Sequence, residues 1–460
     1  MKKKQVHVPG LETGFHPYPA AVKHAGLVFV SGVRSTGSAR ASAAAGMSKQ
    51  GLTKQQGFGL ADHDENKVSA DSWATHANLE MVLQAAGSSG DQILRQHIWQ
   101  RDKRFFPCYE RVRVHFQPTP APSSGLGVAE VTGNTRHWIG IDAIAVAPGD
   151  NPEFTARSVV SAVDNRNLPS ASHYSQAVRS GDLVFTAGHI AIKTGEPGKP
   201  LVNSFDDIPA EGRFLATGRS HPDSRDGPIA SQTWYIYNEL KKLLEAGGVA
   251  FADVILSTVY LADVRDFAVF HRVHRHFFPD NPPALAVSGF NEVGHRGCRI
   301  EIELTAIAAG SKLKRSSTAW TIAAPFAAPA AVSVGPVIFY SGMVGLDKDG
   351  RLVGGADALS GNARAFVLRL EEVETKKGLA AQCWASFERL AETAKASGST
   401  LKDLLKMTVY VSDPLDMKVF EAVRTQFIDD ADLPALECVC VFGPGPIADA
   451  LVQIEAIGAK

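Results

Sequence analysis

Apolar positions along this chain follow two rhythms, and the rhythms alternate in a fixed order. Near the middle, Gln176–Gly188 (QAVRSGDLVFTAG) sets two apolar runs around a polar Ser-Gly-Asp turn, which predicts a β-hairpin. Trp234, Tyr237, Leu240, Leu243 and Leu244 then share one side of a helix that Gly247-Gly248 ends. Val254–Leu261 is an apolar, β-branched run that predicts a buried strand. Phe267–Phe278 predicts a second helix stopped by Pro279, and Arg299–Ala308 a last strand. The unit reads hairpin, helix, strand, helix, strand.

The same order recurs towards the C-terminus, with a helix over Trp384–Ala396, a strand over Leu404–Val411, a helix over Met417–Ile428 and a final strand over Ala450–Ile457. Near the N-terminus it is more diverged, keeping a helix over Trp73–Ala86 and a last strand over Trp138–Val146. Short blocks mark the copies. Leu27–Gly32 (LVFVSG), Leu183–Gly188 (LVFTAG) and Val337–Gly342 (VIFYSG) form one set, and His97–Asp102 (HIWQRD), Thr258–Asp263 (TVYLAD) and Thr408–Asp413 (TVYVSD) another. Their intervals are domain-sized and too long for a solenoid or propeller. Three related domains are therefore expected, over 1–150, 160–311 and 318–460. They are joined through the polar, Pro/Gly-containing stretches 148–152 and 310–317.

Composition narrows the function classes. A chain of 460 residues that is 45% hydrophobic and 21% charged can build several ordinary cores. Its net charge of −1 supplies no basic stripe for a polyanion, so nucleic acid is not an expected partner. The five cysteines, Cys108, Cys298, Cys383, Cys438 and Cys440, contain no C-x-x-C, which argues against a disulfide framework or zinc knuckle and fits a reducing cytoplasm. The basic start has no apolar core behind it, and no run approaches 18 apolar residues. A soluble, cytoplasmic protein without membrane contact is expected. No cofactor is expected.

The ordered blocks resemble the RidA family, also called YjgF/YER057c/UK114. Tyr174–Val178 (YSQAV), Leu243–Gly248 (LLEAGG), Ser257–Asp263 (STVYLAD), Phe277–Pro279 and Pro282–Ala284 carry the resemblance, which extends over three successive domains. It implies an α+β fold of three tandem RidA-like (chorismate-mutase-like) domains forming an intramolecular pseudo-trimer, with ligand clefts between neighbours and a homodimer of such units as a further possibility. The family's best-known activity is hydrolysis of 2-imino or enamino acids with release of ammonia. It relies on an Arg after Pro-Ala that forks onto the substrate carboxylate. This chain lacks that Arg: Leu285 and Leu436 stand there in the second and third copies, and Pro122 or Ser124 in the first.

The remaining matches differ between copies. The family's cleft Tyr matches Tyr18 and Tyr174 but becomes Ala328, and its Ser-Gly matches Ser31-Gly32 and Ser341-Gly342 but becomes Ala187-Gly188, followed by His189. The late carboxylate matches Asp142, Glu303 and Glu455, with Thr305 hard to separate from Glu303, and Cys438 matches a small position after the missing Arg. One or two clefts are expected to be functional. On this reading Glu303, Glu455, Ser341 and Tyr174 are the catalytic candidates, and Tyr18, Ser31, Gly32, Ser124, Asp142, Gly188, His189, Gly342 and Cys438 the ligand contacts. The chemistry is water addition to a reactive small molecule: an enamine or imine, an amide or an enol ether. A carboxylate raised towards neutrality by burial would shuttle the proton, and backbone N–H groups beside Ser31-Gly32 or Ser341-Gly342 would hold an oxyanion. Alternatively, Glu303 and Glu455 pair across the domain interface, and the fold serves as a non-catalytic binder or chaperone-like scaffold.

Other constellations rank lower. His271, His274 and His276 could pair on a metal but read better as a solvated helix face, Asp62–Glu65 reads as a solvated loop, and Cys438 and Cys440 as buried small residues. Ser123 and Ser124 have no placeable His or Asp partner. Three inserts, 36–70, about 190–230 and about 345–380, exceed what a compact unit needs. The first looks mobile over 36–59. The second could be a cationic lid through Arg213, Arg219, His221 and Arg225, and the third has helical character over Asn362–Lys377.

Overall fold

The computed structural model describes residues 2–11, 17–50, 52, 60–131, 137–163, 173–193, 196–215, 226–371 and 378–460. The described residues form three mixed sheets backed by helices. In the first, β1 (Lys4–Val6), β2 (Ala21–His24), β3 (Leu27–Val33), β4 (Ile93–Gln100), β5 (Ser123–Gly127) and β7 (Ile139–Val146) take the order β1-β2-β3-β7-β4-β5, while β6 (Glu130–Val131) crosses to the third sheet. The second contains β8 (Ser158–Val163), β9 (Tyr174–Ser180), β10 (Leu183–Thr186), β11 (Val254–Leu261), β12 (Ala284–Gly289) and β13 (Ile300–Ile307), ordered β12-β11-β13-β10-β9-β8. In the third, β14 (Arg315–Thr318), β15 (Ala331–Val334), β16 (Val337–Tyr340), β18 (Leu404–Val411), β19 (Ala435–Cys440) and β20 (Val452–Ala459) repeat the pattern, with β17 (Met343–Val344) pairing β20.

Each sheet has two faces that its alternating sequence makes different. The outer face carries helices: α2 (Leu60–Ala85) and α3 (Phe106–Phe116) on the first sheet, α4 (Asp226–Ala246) and α5 (Phe267–Phe277) on the second, α7 (Leu379–Ala396) and α8 (Asp416–Arg424) on the third. The inner faces meet one another. Phe29, Leu94, Phe185, Ile255, Phe339 and Leu405, drawn from all three sheets, form one apolar cluster, and Trp99, Tyr260, Phe290 and Tyr410 form a second. Arg95, His97, Thr258, Lys406 and Thr408 lie on the same inner strands, and Asp142, Glu303 and Glu455 face them from β7, β13 and β20. A polar layer therefore lies among the three sheets.

The predicted elements correspond to β4, β7, β11, β13, β18, β20 and the helices, with ends moved by a few residues. The described part of the insert 36–59 differs from expectation, while residues 51 and 53–59 lie outside the described residues. Gly37–Lys49 is a helix, α1, whose Ala39 and Ala43 pack on Ala74 of α2, and an added Cβ at Gly46 would lie 2.6 Å from Trp73 Nε1. Small residues that read as a mobile stretch instead permit close helix contact. Because α2 starts at Leu60, Asp62–Glu65 is helical and not a loop. The third insert contains α6 (Gly361–Glu371), while Arg219, His221 and Arg225 lie outside the described residues. The trio on α5 divides: His274 is buried on Tyr237 Oη at 2.7 Å and departs from the expected solvated face, His271 is half-buried with Nε2 accepting from the Ala327 N–H at 3.0 Å, and His276 is exposed with its ring stacked on Trp234. No cluster of three or more metal-ligating side chains occurs among the described residues, and no helix there is long and apolar enough to cross a membrane.

Candidate active site

Three junctions form where the edge strand of one sheet meets the hairpin of the next, the places at which the resemblance implies ligand clefts. The Gly188 N–H donates to Ser123 O at 3.3 Å in the first, and the Gly342 N–H to Leu285 O at 3.0 Å in the second. In the third the Leu436 N–H donates to Ser31 Oγ at 2.9 Å. The strand register resolves one ambiguity. Ser257 pairs Leu285 and Met407 pairs Leu436, and at the corresponding place Gln96 pairs Ser123, so Ser123 stands where the sequence left Pro122 or Ser124 open.

The second and third clefts are filled by the chain's own groups. In the second, Ser341 Oγ donates to Pro329 O at 2.7 Å and accepts from the Leu285 N–H at 2.9 Å, while Gln453 Nε2 donates to Ser288 Oγ at 2.7 Å. The Ser341 hydroxyl and Gly342 amide are thereby committed to the strand junction, not to an oxyanion. In the third, Ser31 Oγ donates to Pro19 O at 2.6 Å and Tyr18 Oη to Glu421 Oε1 at 2.6 Å. Gly140 lies there at the position of Gln453. A Cβ on it would fall 2.4 Å from Arg34 Nη1, whose guanidinium pairs Glu437 at 2.5 Å with both side chains fully buried. Gly32 lies in the wholly buried β3, and Cys438 is buried in the core under the helices.

The first cleft is different. Glu301, on the inner face of β13 and two residues before Glu303, takes the place that Gln453 holds in the second. Its Oε2 accepts from the Gly294 N–H at 3.1 Å, and Oε1 would lie only 2.0 Å from a Cβ on Gly188. Burial pushes its carboxyl up to about 7, with Lys103 and the Gly294 N–H opposing, Glu303 adding to the rise and His97 opposing. Lys103 follows Asp102, whose side chain accepts from the Arg104 N–H at 2.9 Å and shapes the turn into α3. Its ammonium donates to Gly125 O in β5, and burial lowers its pKa against the pull of Glu301 and Glu292. Tyr174 is half-buried; burial and then Glu301 raise its pKa, so it is a neutral phenol that can donate. His189 Nδ1 donates to Ala187 O at 2.9 Å, which fixes the tautomer with Nε2 as acceptor, and burial keeps the ring neutral.

Glu303 departs from the expected raised carboxylate. It receives Arg95 at 3.3 Å, His97 Nε2 at 3.1 Å and Ser124 Oγ at 2.5 Å. Burial works against its charge, but these partners outweigh it and hold it at about 2, so it cannot shuttle protons near neutrality. Asp142 is similarly committed to Lys406 at 2.8 Å, His97 Nδ1 at 3.2 Å and Trp99 Nε1 at 2.8 Å. Glu455 does rise, to about 8 through burial, but it lies in the central layer, with Oε1 partnerless among the described residues. Sequence reasoning missed Glu301, Lys103 and the cationic members Arg95, His97 and Lys406. The available signal was the Glu-Ile-Glu spacing of β13, which puts both carboxyls on one face.

Gly188 is where this cleft is most sensitive to volume. Gly188→Ala places a methyl against Glu301 Oε1 and 2.7 Å from Ser124 Oγ, with no backbone strain involved. Turnover is expected to fall at least about tenfold with a stability loss of about 1–3 kcal/mol. Parallel kinetics and thermal melts measure both effects; unchanged turnover would mean that Glu301 is not held in a working position.

Mixed sheets backed by helices, joined where edge strand meets hairpin, define the class of α+β protein. Within it the chain belongs to the RidA family: the family model described as Endoribonuclease L-PSP matches residues 216–308 and 317–460. A RutC family protein of Pyrococcus horikoshii is 34% identical over 137 residues, covering 29% of this chain and 85% of the relative. A 2-iminobutanoate/2-iminopropanoate deaminase of Escherichia coli is 26% identical over 149 residues, covering 32% of this chain and 94% of the relative. A solved chorismatase is similar over 80% of this chain and 93% of that one, at 14% identity and a TM-score of 0.46.

Proposed function

We propose that the chain is a small-molecule hydrolase of the deaminase type, working in the cleft between its first two units, with 1–150, 160–311 and 318–460 forming a covalent pseudo-trimer. One observation carries the reading: Glu301 is an inner-face carboxyl, opposite Tyr260 and raised to about 7 by burial, whereas the matching places opposite Tyr410 and Trp99 hold the amide of Gln453 and the bare backbone of Gly140. Glu301 protonates the nitrogen of a C=N substrate, or the β-carbon of an enamine. Water then adds to the electrophilic carbon, and the Glu301 carboxylate takes up a water proton. Returning that proton to nitrogen makes ammonia the leaving group; as the C–N bond breaks, the carbinolamine hydroxyl passes its proton back to the Glu301 carboxylate, so imine and water become carbonyl compound and ammonia with the acid regenerated. The phenol of Tyr174 and Nε2 of His189 orient substrate and water. An RNA substrate has no support in the charge balance.

Ammonia release from freshly generated 2-iminobutanoate, 2-iminopropanoate and related enamines tests this in wild type, Glu301→Gln and Glu455→Gln. Collapse in Glu301→Gln supports the reading. Collapse confined to Glu455→Gln would move the chemistry to the central layer, and binding without turnover in any form would favour the scaffold.

A further inference from the structure

Away from the inner faces, the helical side of the second unit carries a groove of about 460 Å³. That volume falls within the roughly 300–1,000 Å³ of small-molecule sites. Phe214, at the end of the short turn Ala210–Leu215, forms one wall; Phe278 and Pro282 form another, and Ala327 reaches it from the segment before β15. Three basic side chains join these rigid apolar ones. Arg272, Arg275 and His276 share one side of α5, and no acidic side chain is among the described walls. Arg272 is fixed, with Nε donating to Leu215 O at 2.8 Å and Nη2 lying 3.4 Å from Asp226. Arg275 is exposed and has neither hydrogen bond nor ion pair among the described residues. The His276 ring stacks on Trp234 at 5.0 Å and meets Phe214 edge-on at 5.9 Å, which holds a phenyl ring that is 70% exposed over the groove.

The equivalent helices do not repeat this arrangement. In α8 the three basic places hold Ala422, Thr425 and Gln426, and in α3 Val114 stands where α5 has Arg275. We propose that the groove is a binding site for a small aromatic carboxylate, separate from the candidate site at Glu301. The carboxylate pairs with the free Arg275 guanidinium, whose planar fork matches its two oxygens. The aromatic ring packs on Phe214, Phe278 and Pro282 and takes apolar surface from water. Charge sets the class. Asp226 already offsets Arg272, so one unpaired fork matches a single negative charge better than a phosphate dianion. A neutral ring would leave Arg275 without a partner, and a short aliphatic anion would leave the apolar walls wet. Because Ala327 is tied to α5 through His271, the ligand bridges two segments of chain and stabilises the folded state by mass action.

Calorimetric titration of the full chain with 2-naphthoate tests this, with 2-naphthamide as the uncharged aromatic and acetate as the anion without a ring. The expected result is 2-naphthoate binding that weakens with added salt, and at least about tenfold weaker binding of either comparison compound. Arg275→Gln and Phe214→Ser should each weaken 2-naphthoate by about tenfold. Both side chains are exposed, and melting curves matching wild type show that the variants fold. A readout without substitution in the titrated protein is the magnetic shift of the His276 ring protons, assigned with His276→Ala, which a bound naphthyl ring should move in step with saturation. Glu301→Gln should bind as wild type does, so the groove and the hydrolase reading stand or fall separately. No binding, equal affinity for 2-naphthamide, unmoved His276 signals, or wild-type affinity in folded Arg275→Gln would each overturn the proposal. Binding lost in Glu301→Gln and kept in Arg275→Gln would overturn it too, by placing the ligand at the junction of the first two units.

Discussion

Glu301→Gln is expected to lower turnover by about 10²–10⁴-fold, the range of a positioned general acid–base, with little change in melting temperature. The amide keeps the acceptor that faces the Gly294 N–H, and Gln453 already occupies the matching place in the third sheet. What is lost is the transferable proton. In wild type the free-enzyme carboxyl at about 7 makes kcat/KM fall as pH rises through neutrality, since the acid form is the one that protonates substrate. With an anionic substrate bound, the corresponding limb of kcat should lie higher in pH, because the added negative charge favours the protonated acid. A pH–rate profile of both forms checks the assignment. A Glu301→Gln enzyme with wild-type turnover and the same alkaline limb would show that another group carries the proton.

Much of the fold was legible because burial is periodic. The inner strands alternate so that Arg95, His97 and Trp99 face the shared centre while Gln96, Ile98 and Gln100 face helices, and the second and third copies follow the same alternation. The missing strand Arg was also legible, with its replacement shifted by one residue to Ser123. The candidate site was less so. Choosing Glu301 over Glu303 required knowing which carboxyl meets a cation on a different sheet, and the Arg95–Glu303 contact spans more than two hundred residues of sequence. Lys103 carried no motif at all; what it faces, Gly125 O and the Glu292 carboxylate, comes from segments distant in sequence. Periodicity assigns a residue to a face, whereas the sign of a pKa shift depends on neighbours that distant segments bring.

The central layer makes the second large prediction, a fall in stability towards alkaline pH. His97, between Asp142 and Glu303, is held protonated to about 10: burial opposes the charge, and Glu303 and Asp142 outweigh it. The folded state thus keeps a proton that an unfolded histidine gives up near 6.5, and the resulting stabilisation, complete below that pH, is lost as pH rises to about 10. Glu455 acts in the same direction. Its folded pKa of about 8 lies above the ordinary 4.5, so stability declines between those values. Glu303, at about 2, and Asp142, also held low, contribute stability that is present above the ordinary carboxyl range and lost in acid. Maximum stability should therefore fall near pH 5–6, with the melting temperature dropping steadily from about pH 6.5 to 10. His97→Gln removes the cation shared by two buried carboxylates, at a cost of about 3–5 kcal/mol near pH 6. The gap from wild type should narrow as wild-type His97 itself deprotonates. A wild type whose melting temperature is flat from pH 6 to 10, or a His97→Gln deficit that stays constant over that range, would mean that the imidazole is neutral and the layer is held by Arg95 and Lys406 alone.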